Sequence, residues 1–215
     1  MAGYLLIGGS IDHTLVRRLR NMRTPFVIVG AQAQDMPVDC VMADYVGGID
    51  LAVRYLVEKG RRRIGLVKGS PRTLTSQEKY KGWRLALCQR DLPFAAGQAV
   101  DAESFTPQAA GQPTQELIEH INGLDAIIYG DDYLAMGGIH TLKQSGHRVP
   151  DDVAVIGCHD YRIAPFTDPS LTTIRIAGQH MGAIAAQRLC MLIDIGPGEP
   201  WVVLAPTSLI VRASA

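Results

Sequence analysis

Several features that would make a function obvious are missing from this chain. Net charge is absent: 21 basic residues balance 21 acidic ones over 215 residues. Nothing overall therefore pulls the chain toward nucleic acid, and any affinity for phosphate backbones has to be local. The longest basic run, "GRRRIG" at 60–65, lies between a helix-like and a strand-like stretch and reads as a solvated connection. Cysteine is scarce, and Cys40, Cys88, Cys158 and Cys190 show no C-x-x-C spacing. That argues against a zinc site and a disulfide framework, and it fits a reducing cytoplasm. No stretch approaches the roughly 18 apolar residues of a membrane span. "MAGYLLIGGS" has neither a basic leader nor a small-residue cleavage site.

Catalytic signatures are missing as well. There is no G-x-S-x-G, no phosphate-binding G-x-x-x-x-G-K-S/T, no H-E-x-x-H, and no G-x-G-x-x-G after a strand. His13, His140 and His180 sit on helix-like stretches without metal-ligand spacing. No cofactor or metal is expected, and the chain is not expected to be an enzyme.

What is present is order. Hydrophobic residues make up 47% and charged residues 20%, an ordinary globular balance. Short apolar runs at 4–9, 25–30, 41–44, 63–69, 126–130, 153–157 and 201–205 alternate with amphipathic stretches at 12–22, 47–60, 76–91, 110–122, 132–145 and 178–195. Most of the runs are continuous rather than alternating, the pattern of parallel strands covered on both faces. The fold class is therefore α/β.

Ligands of open parallel sheets bind beyond the carboxyl ends of the strands, so the residues that follow each strand locate a candidate site. These are Ser10; then Ser70, Thr73, Thr75 and Ser76; then Asp131 and Asp132; then Cys158, His159 and Asp160. Such a gathering suits a small polar ligand. Each residue also has a plainer reading. Asp131 or Asp132 can cap the helix that follows, the serines and threonines are ordinary loop residues, His159 and Asp160 can form a surface turn, and Phe105 can be core. "DDVAVIGCHDY" at 151–161 poses the question most directly, since a strand that reads as buried delivers an imidazole and a carboxylate at its end. Neighbours on an extended chain point to opposite sides, so the two do not make a catalytic dyad by themselves.

The motifs also resemble a known family. "ADYVGGIDLAVRYLVEKGRRRIGLVKG", "YKGWRLAL", "SFTPQAAG", "DPSLTTIR" and "PTSLIVRAS" occur in its order, and the tract from "GDDYLAMGG" to "LTTIR" carries the most specific match. Together they are similar to the effector-binding core of the lactose/galactose repressor (LacI/GalR) family of bacterial transcription regulators. The resemblance implies two doubly wound parallel-sheet lobes of the periplasmic-binding-protein-like type I fold with an effector between them. It implies one lobe of 1–44 and 176–204, and another of 45–175 and 205–215. It implies effector contacts at Thr73, Thr75, Lys79, Phe105, Asp131 and His159, with Asp160 beside them.

Lys79 stands where the family has an arginine, so the planar bidentate fork is replaced by a point charge. His159 stands where the sugar binders place an aspartate. On the resemblance the effector is a sugar or a related metabolite. A cationic Lys79/His159 pair suits a phosphorylated or acidic one better than a neutral sugar, although Asp131 argues against much negative charge nearby. The resemblance further implies a homodimer, operator DNA bound only through a helix-turn-helix headpiece that the sequence does not contain, and no membrane. On it the chain reads as a fragment of a longer regulator whose N-terminal lobe is truncated. Two other readings stay open: a solute-binding protein of the same fold acting in sugar transport, and a small α/β enzyme using His159 and Asp160.

Overall fold

Five short runs are buried along almost their whole length, as strands packed between layers must be: FVIV, CVMA, IGLV, AIIY and AVIGCH. The computed structural model describes residues 3–9, 11–31, 36–71 and 73–215, apart from the side chains of His13 and Ala96. Ser10 and the His13 side chain, both named above, lie outside the described residues.

In chain order the elements are β1 (Tyr4–Ile7), α1 (His13–Asn21), β2 (Phe26–Val29), β3 (Cys40–Ala43), α2 (Tyr45–Glu58), β4 (Ile64–Val67), α3 (Leu74–Cys88) and β5 (Ala99–Val100). There follow α4 (Gly111–His120), β6 (Ala126–Tyr129), α5 (Asp132–Gln144), β7 (Ala154–His159), β8 (Thr172–Ile176), α6 (Gly178–Asp194), β9 (Val202–Ala205) and β10 (Thr207–Ile210).

The chain forms two compact units, Met1–Asp44 with Thr73–Thr75 and Ala177–Pro206, and Tyr45–Arg72 with Ser76–Ile176 and Thr207–Ala215. The first holds a parallel sheet of order β1-β2-β3-β9. Val16, Leu19, Phe26, Ile28, Cys40 and Met42 form its core. Leu74 packs against that core, which is why Thr73–Thr75 group with the first unit. Not every apolar run is covered on both faces. β1 and β9 are the sheet edges, where Ile7 is 77% exposed and Val202 and Leu204 are also exposed. An edge strand has a neighbour on one side only, and the apolar pattern does not reveal this.

The second unit is a six-stranded sheet of order β10-β8-β7-β6-β4-β5, parallel except that β10 runs against β8. The apolar runs do not predict β5, β8 and β10. β5 has two residues, and β8 and β10 carry threonine and serine in place of a continuous apolar run. The core of this unit runs from Val67, Leu117, Ile127 and Tyr129 to Leu134, Ile139, Leu142 and Val155. The buried phenol in it is satisfied: Tyr129 OH and Thr114 Oγ1 are 2.9 Å apart, and Thr114 donates to Ala110 O. Among the described residues no helix is long and apolar enough to cross a membrane.

Candidate functional site

Parallel β4, β6 and β7 end on one edge of the second unit's sheet, and the chain leaving each carries the groups of interest. β6 is followed by Gly130, Asp131 and Asp132. Asp131 is the N-cap of α5, with extended backbone and Oδ1 accepting from Tyr133 N at 2.8 Å. Its other oxygen, Oδ2, accepts from Tyr161 OH at 3.1 Å and lies 3.2 Å from His159 Nδ1. One oxygen therefore caps the helix, as the plain reading has it, and the other meets Tyr161 and His159.

Asp132 points inward and is completely buried. Oδ1 accepts from Thr173 Oγ1 at 2.5 Å and Oδ2 from Tyr161 N at 2.7 Å. Burial disfavours its charged form, and although both hydrogen bonds resist, the carboxyl is pushed up to about 6. Gly157 makes room for it, since a Cβ there would collide with Asp132 Oδ1.

The end of β7 is not extended. His159 has φ +106° and Asp160 φ +54°, a left-handed pair that side-chain-bearing residues adopt only when their surroundings fix it. Asp132 fixes it from one side through Tyr161 N, and two arginines fix it from the other. Arg175 Nε donates to Asp160 Oδ2 and Arg212 Nη2 to Oδ1, both at 2.7 Å. Burial alone would raise the Asp160 carboxyl; the arginines outweigh it and hold the group below its ordinary range. The two neighbours thus part company. Asp160 turns into a guanidinium clamp, with an arginine on each oxygen, while His159 turns toward Asp131.

His159 stacks on Tyr161 with ring centroids 5.3 Å apart and meets Tyr45, the first residue of α2, edge-on at 6.3 Å. Its side chain is about 20% exposed. Nδ1 lies within ion-pair range of Asp131 but out of line for a hydrogen bond, so among the described residues it is a buried nitrogen with no hydrogen-bond partner. Burial and then the Lys79 ammonium hold the imidazole below its usual range, against the pull of Asp131. His159 is therefore neutral at pH 7.

Lys79 is on α3 and almost wholly buried. Nζ donates to Gly130 O at 2.6 Å and sits 4.6 Å from the centre of the Tyr45 ring. Its ammonium already has partners within the protein. Phe105 packs partly buried against the core of the second unit, its ring over Gly69, where a Cβ would collide with Phe105 Cε1. Thr73 and Thr75, with hydroxyls 3.4 Å apart, belong to the first unit. The structure thus gathers Lys79, Asp131 and His159 at one place and sets Asp160 behind them as an anchor. It turns Asp132, the other aspartate of the pair, inward, and it adds Tyr45 and Tyr161, to which the sequence alone assigns no effector contact. Tyr161 follows directly on "CHD", and its place in that motif is the available signal.

Chemically this wall offers an acceptor (Asp131), an imidazole, a phenol and aromatic faces. It offers no activated nucleophile. Cys158 is buried, and burial pushes its thiol up to about 11, outweighing nearby Lys79. Among the described residues no three His, Cys, Asp or Glu side chains gather as a metal site.

Residues 53–215 match the family model of the periplasmic binding protein-like domain. The chain is 25% identical over 213 residues to the probable HTH-type transcriptional repressor ExuR of Bacillus subtilis, covering 99% of this chain and 64% of that one. It is 30% identical over 219 residues to the HTH-type transcriptional regulator CelR of Thermobifida fusca, covering 99% and 63% respectively. A solved structure described as a transcriptional regulator CelR–cellobiose complex matches all of this chain and 66% of its own, with TM-score 0.92 and 28% identity. The chain therefore spans slightly less than two thirds of the curated relatives it matches.

Proposed function

The chain belongs to the periplasmic binding protein-like domain family, and on that premise we propose that it is the effector-sensing part of a bacterial transcriptional regulator of the lactose/galactose repressor type. The observation that carries the reading is the match of 99% of the chain to HTH-type regulators. The same match favours regulation over solute transport. On this reading the effector stabilises one of two conformations of the regulator and so changes its affinity for operator DNA in the cytoplasm.

The effector we propose is a neutral, hydroxyl-bearing molecule of the sugar class, held at the Asp131–His159–Tyr161 wall with Phe105 as a further contact. The case for an anionic effector rests on a free Lys79 and a cationic His159. Lys79 is turned to Gly130 and Tyr45, and His159 is neutral. Asp131 accepts hydroxyl hydrogens and repels anions. Calorimetric titration with cellobiose, glucose and glucose 6-phosphate tests this. A neutral sugar should bind and the phosphorylated one should not, and Asp131→Asn should weaken binding about tenfold or more, the worth of a hydrogen bond to a charged group. Binding of the phosphorylated sugar alone, indifferent to Asp131→Asn, would overturn the proposal.

We further propose that the regulator is a homodimer that uses the outer face of α5 and the turn after β7. Phe166 there is 81% exposed and Tyr133 43%, with Ile163 beside Phe166. Ile163 and Phe166 put exposed apolar side chains on one short turn; such surface marks an interface, and symmetric dimers are the commonest oligomers. Phe166→Glu should weaken dimerisation about thirtyfold or more, the factor that corresponds to a hot spot of about 2 kcal/mol. Sedimentation equilibrium reads this directly. A wild type that stays monomeric at high concentration removes the proposal.

A further inference from the structure

A large cavity lies inside the first unit. Its volume is about 560 Å³, within the range of small-ligand pockets. It opens at the amino edge of the sheet, where β2 and β3 begin and α1 and α6 end. The floor is apolar: Phe26, Val38 and Leu192 line it and are nearly buried. Pro25, Pro37, Pro197 and Pro200 form the walls. Proline has a fixed φ and no N–H, so these walls are preformed and donate no backbone hydrogen bond to an occupant.

The rim is cationic. Arg20, Arg23 and Asp39 line it, but Asp39 accepts from Arg188 Nε at 2.6 Å and its charge is matched there. Arg188 in turn donates to Glu199 O and lies 5.7 Å from the centre of the Trp201 ring. Three of the last carbonyls of α1 accept from the chain itself, with Met22 N donating to Arg18 O, Arg23 N to Arg20 O and Thr24 N to Leu19 O. They do not compete for the two guanidiniums. Arg23 also has φ +53°, in a position after a helix where glycine is the usual residue. An arginine held in a conformation that favours glycine, at the mouth of an apolar cavity, is a placement that helix termination alone does not require.

From this combination we infer that the cavity is a second binding site, for a small amphipathic carboxylate. The hydrocarbon part lies on Phe26, Val38 and Leu192, and the carboxylate meets Arg20 and Arg23. Arginine suits this role because its planar fork pairs with a carboxylate through two parallel hydrogen bonds.

The test uses 4-phenylbutyrate and its uncharged amide, which share one hydrocarbon body, titrated calorimetrically into the whole chain. The acid should bind about tenfold or more tightly than the amide, as expected of a charge-assisted hydrogen bond. Arg23→Gly should abolish that margin and leave the amide unchanged. Because this variant removes an unfavourable backbone conformation, its melting temperature should hold or rise, which separates lost binding from lost folding. Gly198→Trp should block acid and amide alike: Gly198 lines the cavity, and a Cβ there meets nothing within 4 Å. Asp131→Asn should change neither. The inference fails if acid and amide bind equally, if Arg23→Gly keeps the margin, or if Gly198→Trp leaves binding intact. A loss on Asp131→Asn instead places the probe at the second unit's wall and also overturns it.

Discussion

Asp132→Asn should remove a pH dependence of stability worth about 3 kcal/mol. Asp132 is raised from an ordinary carboxyl value of 3.8 to about 6 in the folded chain, and each tenfold change in proton affinity corresponds to about 1.4 kcal/mol. A group whose folded value lies above its unfolded value stabilises the fold while protonated and loses that contribution as pH rises through the folded value. The stability of the wild type relative to Asp132→Asn should therefore be highest below about pH 4 and fall until about pH 6–7. Asparagine is uncharged throughout and keeps an oxygen for Tyr161 N. The measurement is urea unfolding of both proteins across this range, followed through Trp83, which is fully buried in the second unit. Taking the difference cancels the groups that titrate elsewhere, such as Asp152, which Arg148 holds down to about 2. A difference that is flat, or that grows with pH, would mean that Asp132 is better hydrated or better paired than its surroundings indicate.

How much of this is legible in the sequence depends on where the physical cause lies. The strands FVIV, CVMA, IGLV and AIIY are fixed by their own apolarity, and the helices between them by their period, so the α/β alternation can be read directly. The kinship read from the "GDDYLAMGG" to "LTTIR" tract is matched by the regulators that align with the chain. Strand β8 is hidden because its threonines are there to hold neighbours: Thr172 Oγ1 accepts from Arg212 N, and Thr173 Oγ1 donates to Asp132. The odd ending of "DDVAVIGCHDY" is visible in the sequence, but its geometry is not. That geometry depends on Asp132, Arg175 and Arg212, which lie 28 residues before and 15 and 52 residues after Asp160 in the chain. Opposed directions for His159 and Asp160 presuppose an extended backbone, and the positive φ values replace that premise. Their side chains do separate, but the turn is what separates them.

Lys79 shows the same limit from the other side. On the sequence it reads as an effector clamp, so Lys79→Ala would weaken binding and spare the fold. In the structure it is a buried ammonium between Gly130 O and the Tyr45 ring, and its removal should damage the fold first. Lys79→Met keeps the length of the chain but leaves a buried carbonyl without its donor, a loss of about 1–3 kcal/mol, reduced by relief from burying the charge. Lys79→Ala adds an unfilled cavity and should cost about 2–4 kcal/mol more. Both variants should also move His159. The Lys79 charge is one of the two causes that hold its imidazole low, so without it the histidine should titrate at higher pH. A histidine lowered on folding contributes stability above its unfolded value and loses it as pH falls; that acid-side loss should shrink in both variants. Denaturant unfolding gives the first effect, and an NMR titration of the His159 ring gives the second. A Lys79→Ala protein as stable as wild type, with an unmoved His159 and weakened effector binding, would restore Lys79 to the ligand and leave the Gly130 contact incidental.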